Sequence, residues 1–343
     1  MSTGEQFGLF ATRRCGHEPV MFEPPTHALL DDKFPLPLDR PFSRAMALAV
    51  GLSDNQLKRL CDRGYLRRPL RNLYLPAQLA DTVEVRLAAL SLVVPSDCFV
   101  ADHTAAWLHA GDDALPPNAH LAVPPVSLWR PPRVRALRNG WTASGERTLL
   151  PRDLMELGGV LVTTPLRTAL DLGRLQRNPD VALWGMDSML GTRTFTRDEM
   201  LDELPRFKGE RGIVRMRVIA PRADGQAQSF AEAALRGRWY DAGLPRPWVQ
   251  IPIYENGRVI FWLDMGLEEL LFAAEYDGER FHSEEVDREY DHERRDWLAR
   301  NRAWVIEDFR KVNVFGRQQD ATERLAVVYL ECRKSIGNRR LII

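Results

Sequence analysis

Apolar residues recur at helical spacing in two short stretches that lie close together in the N-terminal part of the chain. The first, FSRAMALAVGL (42–52), predicts a helix. The second, SDNQLKRLCDRG (53–64), predicts another, with Ser53 as its N-cap and Gly64 at its end. The segment YLRRPLRNLYLPA (65–77) then alternates basic and apolar residues around a turn, which is typical of a short hairpin.

Two short helices followed by a basic hairpin outline a winged helix-turn-helix, which we place at residues 41–80. A small packing domain with a solvated basic face is the alternative, and the pattern leaves both open. The preceding residues, 1–40, are rich in proline and are expected to form a poorly ordered lead-in. If the unit binds DNA, its phosphate contacts are expected to be Arg59, Arg63, Arg67, Arg68 and Arg71.

The middle of the chain, residues 81–225, mixes helical and strand patterns. TVEVRLAALSLVV (82–94) predicts a helix, and HLAVPP (120–125) predicts a strand. VLVTTPLRTALDLGRL (160–175) predicts a strand that ends at Thr164, followed by a helix with Pro165 in its first position. We find no candidate chemistry in this mixed α/β region, and APRADGQAQ (220–228) is the expected linker after it.

The C-terminal region, residues 226–343, predicts the order helix, three-strand meander, helix, strand, helix. The meander includes a hairpin around Asn256-Gly257, a strong turn signal. The charged segment SEEVDREYDHERRDWLARN (283–301) predicts the second helix. The expected fold is therefore α/β in the broad sense, or α+β, with a mixed C-terminal sheet flanked by helices.

Composition narrows the possible functions. Lys plus Arg and Asp plus Glu both number 47 among 343 residues, which argues against a chain that coats nucleic acid along its whole length but allows local basic patches. The four cysteines include no CxxC pair, so neither a zinc site nor a disulfide framework is indicated, and a cytoplasmic location is expected. The longest apolar runs are far below the roughly 18 residues of a membrane span, so no membrane partner is expected.

Four acidic residues are the candidates for chemistry. Glu232 falls on the first helix of the C-terminal region, Asp264 ends the second strand of the meander, and Glu275 and Asp277 end the third. Adjacent antiparallel strands bring their ends together, and clustered carboxylates repel each other unless a cation neutralises them. Oxygen ligands favour Mg²⁺ or Mn²⁺, which beside His282 suits phosphodiester hydrolysis.

Each of these acidic residues has a structural alternative. Ser229 and Glu232 form a capping box, which requires only that the helix exists. Asp264 could be a turn residue, since a glycine follows two positions later. Glu275 and Asp277 could instead belong to an ion-pair network with two arginines of the charged helix. These two, Arg294 and Arg295, could also contact the scissile phosphate of DNA.

In their order along the chain, SFAE (229–232), WLD (262–264) and EYDGERFH (275–282) resemble the PD-(D/E)XK nuclease fold. More narrowly, they are similar to the very-short-patch-repair endonucleases and a related family of unknown function. The resemblance implies Asp264 as the principal metal ligand, with the main-chain carbonyl of Tyr276 beside it. It also implies Glu275 and Asp277 as metal or water partners, Glu232 as a ligand of metal-bound water and His282 as acid or base. Asp277 stands where the broader fold carries a lysine.

FVADHTAAWLHAG (99–111) and VTTPLRTALDL (162–172), together with the winged-helix outline, resemble the AbiEi family of antitoxin-related proteins. Asn72 replaces the glycine usual before the tyrosine of the wing, and asparagine adopts positive φ more readily than most residues. This resemblance implies a repressor or antitoxin that binds DNA and allows a cognate toxin as a partner. The two hypotheses are therefore a Mg²⁺-dependent DNA endonuclease and a non-catalytic DNA-binding regulator with a nuclease-like C-terminal domain.

Overall fold

The computed structural model describes residues 29–70, 72–111, 114–115, 125–137, 142–278 and 302–340. The chain divides into two compact units, Met1–Pro95 and Ser96–Ile343. Both units combine helices and sheets, so the expected α+β class is confirmed. The domain boundaries at 80/81 and 225/226 stay predictions.

Where the first unit is described, at residues 29–70 and 72–95, it has three helices and a three-stranded antiparallel sheet in which the last strand in sequence lies between the other two. Its α1 and α2 lie between the first and second strands in sequence, and the β2–β3 hairpin follows them, as the winged-helix outline predicts. Its elements are β1 (Phe42–Ser43), α1 (Arg44–Ala49), α2 (Asp54–Asp62), β2 (Leu66–Leu70), β3 (Leu73–Pro76) and α3 (Val83–Ser91).

Local chemistry explains where α2 and the hairpin begin and end. The Ser53 hydroxyl accepts a hydrogen bond from the amide of Gln56, and the side chain of Gln56 accepts one from the amide of Ser53, so the predicted N-cap is confirmed as a capping box. Gly64 ends the helical segment at φ +78°. Asn72 has φ +66°, the positive value that the turn between β2 and β3 requires.

The core of the first unit gathers Leu57 and Leu60 of α2 with Phe42, whose ring stacks on Tyr74 at 5.7 Å. It also takes in three apolar side chains of the expected lead-in, Leu30, Phe34 and Leu36. Residues 29–40 are thus irregular in backbone yet packed, because burying large apolar side chains outweighs the entropy of ordering a short segment. The rest of the predicted lead-in, residues 1–28, lies outside the described residues.

In the described residues of the second unit, the first sheet is mixed and has five strands in the order β6-β5-β4-β8-β7. Pro165 takes the first position of α5, as predicted. Thr164, the expected last residue of the strand, is instead the N-cap of α5, because its side chain accepts from the amide of Arg167 directly after β8. Residues 120–124 of the predicted HLAVPP strand lie outside the described residues, and β5 begins after them. The strands are β4 (Phe99–Val100), β5 (Val126–Arg130), β6 (Thr142–Glu146), β7 (Leu154–Leu157) and β8 (Val160–Thr163), and the helices are α4 (Asp102–Ala110), α5 (Pro165–Leu175), α6 (Pro179–Gly191), α7 (Arg197–Asp202) and α8 (Ile213–Ile219).

The same unit ends in a four-stranded sheet of order β12-β11-β10-β9, antiparallel except for the parallel β11–β12 pair. Asn256 and Gly257 have φ +50° and +76°, which confirms the predicted β9–β10 hairpin. The predicted helix over 283–301 lies outside the described residues. The elements are α9 (Phe230–Asp241), β9 (Trp248–Glu255), β10 (Arg258–Leu267), β11 (Phe272–Tyr276), β12 (Val305–Phe309), α10 (Lys311–Val314) and α11 (Ala321–Arg340).

Helix α9 packs on the C-terminal sheet through a core in which Trp239 stacks on Phe272 at 5.2 Å. The cysteines of the described residues, Cys61, Cys98 and Cys332, are free thiols. A membrane-crossing helix is not found in the described ranges, where none of the helices combines the length and apolar character that crossing would need. Short 3-10 turns complete the fold at Pro151–Asp153, Leu204–Phe207, Ala220–Arg222 and Glu268–Leu270.

Candidate functional site

The two central strands of the C-terminal sheet bring Asp264 and Glu275 to the same place. Met265 of β10 pairs with Ala274 of β11, and extending that antiparallel register by one residue sets Asp264 opposite Glu275. The carboxylate of Asp264 accepts a hydrogen bond from the amide of Tyr276 at 2.7 Å. Glu275 is buried, with 6% of its surface exposed. Asp264 and Glu275 thus lie on neighbouring strands, as expected, but Asp264 lies within β10 rather than at its end, because β10 continues to Leu267 and pairs there with β11.

The backbone around Asp264 is irregular. Met265 packs in the core with α9, whereas Leu263, two residues earlier, packs in a second cluster with Ile251 and Ala273. Residues two apart on a regular strand point to the same face, so the β9–β10 pair changes its buried face at this step. Gln250 lies on β9 opposite Asp264. Its φ is +53°, a value that is uncommon for a residue with a side chain.

Glu232 lies in the first turn of α9, next to the N-cap Ser229. Its carboxylate accepts hydrogen bonds from the Ser229 hydroxyl at 3.0 Å, from the Gln228 amide at 2.9 Å and from the Gln250 side chain at 3.2 Å. The Ser229 hydroxyl in turn accepts from the amide of Glu232 at 3.1 Å. Half of the expected capping box is present: Ser229 caps α9 through its hydroxyl, but the carboxylate of Glu232 accepts from the backbone amide of Gln228 and the hydroxyl of Ser229, and not from the amide of Ser229. The bond from Gln250 also links the start of α9 to the irregular residue of β9.

Asp277 follows β11 and is held by neighbouring groups. Its amide donates to the carbonyl of Phe309 at 2.8 Å, and its carboxylate lies 3.3 Å from the guanidinium of Arg310. This pairing is an ion pair of the kind that the structural alternative expected, with a different arginine. The arginines named for that alternative, Arg294 and Arg295, lie outside the described residues, as does His282.

The described carboxylates do not form a metal-binding set. Within residues 29–278 and 302–340, where described, no group of three or more His, Cys, Asp or Glu side chains could hold a metal ion. The carboxylate of Glu232 accepts from Gln228, Ser229 and Gln250, and that of Asp277 pairs with Arg310, so protein groups engage both. The metal-ligand roles assigned to Asp264, Glu275, Tyr276, Asp277 and Glu232 stay predictions.

A second candidate surface lies on α2 and the hairpin of the first unit. Arg59 and Arg63 are exposed, and the side chain of neither has a hydrogen bond or ion pair with any residue that the structure describes. Arg67 donates to the carbonyl of Leu79 at 2.5 Å, and the guanidinium of Arg68 lies 5.6 Å from the centre of the Tyr74 ring. Arg71 lies outside the described residues.

Acidic residues on this surface are each neutralised by a neighbour. Both oxygens of Asp54 accept from Arg44, at 2.7 and 2.5 Å, and this hydrogen bonding lowers the pKa of Asp54. Asp62 accepts from Lys58 at 2.6 Å. The positive charge left uncompensated at this surface therefore lies on Arg59 of α2 and on Arg63, its C-cap, which suits contact with a phosphate backbone.

Comparison with known proteins finds a matching family domain and two related proteins. Residues 98–220 match the AbiEi antitoxin C-terminal domain. Two uncharacterised proteins of Mycobacterium tuberculosis are similar to the chain, MT2308 of strain CDC 1551 / Oshkosh and Rv2248 of strain ATCC 25618 / H37Rv. Each is 31% identical over 198 residues, which cover 58% of this chain and 69% of the relative. The chain belongs to one family with these two proteins.

The matched segment, which we call the AbiEi-type domain, is organised around a buried carboxylate. Asp171 of α5 has no exposed surface and accepts hydrogen bonds from Arg147 at 3.0 Å, Arg167 at 2.9 Å and Arg174 at 3.3 Å. Arg147 also donates to both oxygens of Asp102, at 2.7 and 3.1 Å. These pairs join α4, α5 and the segment after β6 in the interior of the AbiEi-type domain.

A second carboxylate extends this network. Asp153 is 3% exposed and accepts from Arg167 at 2.8 Å and from Arg206 at 2.5 Å. Burial works against ionisation of Asp153, but the hydrogen bonds from Arg206 and from the amide of Leu150 outweigh it and lower the pKa of Asp153. The network is charge-compensated and enclosed, which indicates a structural role within the AbiEi-type domain.

Sequence reasoning missed this network although a signal for it was present. In PLRTALDLGRL, Arg167, Asp171 and Arg174 stand four and three residues apart, so they share a face of α5. Charged residues at that spacing within a strongly apolar helical pattern indicate buried pairs. The partner Arg147 carries no such signal, because it reaches Asp171 from a distant segment of the AbiEi-type domain.

Proposed function

We propose that this protein is a non-catalytic, DNA-binding regulator of antitoxin type. The observation that carries the proposal is the surface of α2, where Arg59 and Arg63 are exposed and unengaged among the described residues while the neighbouring acids are paired. The match of residues 98–220 to the AbiEi antitoxin C-terminal domain supports the same function.

The proposed interface follows the order of a winged helix-turn-helix. Helix α2 enters the major groove, and the β2–β3 hairpin contacts the adjacent backbone through Arg67 and Arg68. The guanidinium of Arg68 lies over the Tyr74 ring, so this side chain has fewer rotamers before binding. Binding DNA therefore costs less side-chain entropy at Arg68. DNA is the first partner in this proposal, and a cognate toxin controlled by the same operon is the second.

Footprinting on the DNA upstream of the protein's own gene tests this function. We expect the full chain to protect a discrete site, and the double variant Arg59→Ala/Arg63→Ala to lose that protection. Arg217→Ala is the matched control, since Arg217 is an exposed arginine on α8 of the other unit. Protection that survives the double variant would remove the α2 surface from the proposal.

A second candidate function is Mg²⁺-dependent DNA cleavage by the C-terminal sheet. One observation favours it: the buried carboxylate of Glu275 lies opposite Asp264 where β10 and β11 diverge. Plasmid nicking with Mg²⁺ or Mn²⁺ compares the wild type with Asp264→Asn and Glu275→Gln. Cleavage by the wild type that both variants lose would establish this activity, whereas intact plasmid in all samples favours the regulator.

A further inference from the structure

We propose that Asn55 and Arg59 are the base-reading residues of α2, with Asn55 specific for adenine and Arg59 for guanine. The inference rests on the proposed DNA-binding function and assigns sequence specificity within it. It also changes the role of Arg59, which the sequence pattern suggested as one of five equivalent phosphate contacts.

The packing of α2 fixes which side chains can enter a groove. Leu57 and Leu60 are 0% and 1% exposed and hold the helix on the core of the first unit. Asn55 and Arg59 are both exposed and stand four residues apart, so they share one face of the helix. Their positions differ by about 6 Å along the helix axis, at a rise of 1.5 Å per residue.

The acidic side chains of α2, and its lysine, are engaged within the protein. Asp54 accepts two hydrogen bonds from Arg44, and Asp62 is bonded to Lys58. In contrast, the side chains of Asn55 and Arg59 form no hydrogen bond or ion pair with any residue in the described part of the chain. Both side chains therefore keep their full hydrogen-bonding capacity for a ligand, and neither must break an internal bond to bind one.

The chemistry of the two side chains matches two different base edges. An asparagine amide offers one donor and one acceptor, which fit N7 and N6 of adenine. A guanidinium offers parallel donors, which fit O6 and N7 of guanine. Since successive base pairs are about 3.4 Å apart, side chains separated by about 6 Å reach bases about two pairs apart.

The N-terminal half of a recognition helix contacts base edges, whereas its end lies nearer the backbone. Asn55 is the second residue of α2 and Arg59 its sixth, and Arg63 is the C-cap. Arg63 and Arg68 are therefore assigned to phosphates. Base contacts specify sequence, whereas phosphate contacts position the protein. Variants of the base-reading residues should therefore change sequence preference, and variants of the phosphate-contacting residues should change overall affinity.

Selection of duplexes from a randomised pool by the full-length protein tests this assignment. We expect the wild type to select a motif with an adenine and a guanine about two base pairs apart. Competition with single-base changes then compares the wild type with Asn55→Ala, Arg59→Ala and Arg63→Ala. Asn55→Ala should lose preference only at the adenine and Arg59→Ala only at the guanine, each by roughly 5- to 150-fold. Arg63→Ala should weaken all sequences equally.

Thermal melts identify any variant that fails to fold, and Asn55→Ser and Arg59→Lys then replace the alanine variants. Equal loss on all sequences with Asn55→Ala and Arg59→Ala would overturn the base-reading assignment while leaving DNA binding intact. A wild type that binds duplexes without sequence preference would overturn it as well. A wild type that binds no duplex at all would instead contradict the proposed function.

Discussion

The carboxylate of Asp187 on α6 accepts a hydrogen bond from the guanidinium of Arg236 on α9, and each residue is only 1% exposed. Asp187 also accepts from the amide of Asp224 at 2.8 Å, and Arg236 donates to the carbonyl of Arg222 at 3.0 Å. This buried pair ties the AbiEi-type domain to the first helix of the C-terminal region. Residues 220–228, the expected linker, thus lie beside a packed contact within one compact unit.

Removing Asp187 should destabilise the protein more than removing Arg236. An aspartate left alone can take up a proton, but an arginine cannot lose its charge at any accessible pH. We expect Asp187→Ala to cost about 3–5 kcal/mol in the free energy of unfolding, and Arg236→Ala to cost less. Urea unfolding of both variants measures the difference.

The matched control for that comparison is Asp241→Ala, which removes the carboxylate paired with Arg222. Asp241 is 47% exposed, so its loss should change stability by about 1 kcal/mol or less. Equal costs for the two buried variants, or a larger cost for Arg236→Ala, would contradict the charge argument.

The stability of the second unit should also depend on pH through Asp187. Burial raises the pKa of Asp187 to about 7, and the charge of Arg236 opposes that rise only in part. Between about pH 4 and pH 7 the folded state then holds a proton that the unfolded state has lost, so this group's contribution to stability falls as pH rises. For one proton, the free energy of unfolding falls by at most roughly 1.4 kcal/mol per pH unit.

The comparison with Asp187→Asn isolates this contribution, because asparagine does not titrate. Unfolding free energies measured from pH 4.5 to 7.5 should show the wild type losing its advantage over the variant as pH rises. Parallel curves for the two proteins across that range would show that Asp187 keeps an ordinary pKa.

Asp171 should be among the least replaceable residues of the AbiEi-type domain. Three arginines donate to its carboxylate, so Asp171→Asn leaves buried positive charge without compensation. We expect a loss of about 3–5 kcal/mol in a urea unfolding measurement. Glu210→Gln is the control, since that glutamate pairs with Arg174 while 61% exposed and should matter little. A stable, unaltered Asp171→Asn protein would contradict the structural role of the network.

The two interpretations of Glu232 predict different substitution patterns. If Glu232 acts by holding the N-terminus of α9, Glu232→Gln should keep an acceptor for the Gln228 amide and the Ser229 hydroxyl, and Glu232→Ala should cost about 1 kcal/mol. Thermal unfolding of both variants checks this. Equal destabilisation by glutamine and alanine would mean that the negative charge itself is needed, which would favour the cation site.

Local signals predicted the parts of this fold that depend on local chemistry. The cap at Ser53, the positive φ of Asn72 and the turn at Asn256 could all be read from neighbouring residues, because each is set by one side chain and its own backbone. The packing of Leu30 could not, since an irregular segment carries no periodic pattern.

In the candidate sites too, features set by neighbouring residues were predicted and features set by distant segments were not. The strand positions of Asp264 and Glu275 followed from a meander pattern and its register. The pairing of Asp277 with Arg310 depends on the parallel β11–β12 contact, which joins segments far apart in sequence. At Gln250 the β9–β10 pair changes the face that it buries. The alternation of apolar and polar residues does not predict this change, because both faces of the sheet there carry apolar side chains.

The most direct test of the central claim is the salt dependence of duplex DNA binding by the full chain. Fluorescence anisotropy measures the affinity at each salt concentration. If the α2 surface contacts phosphates, log affinity should fall linearly with log salt, and Arg63→Ala and Arg68→Ala should each reduce the slope by about one. The control Arg217→Ala should keep the wild-type slope. A wild type that binds no duplex at low salt, or a slope unchanged in both first-unit variants, would contradict the account.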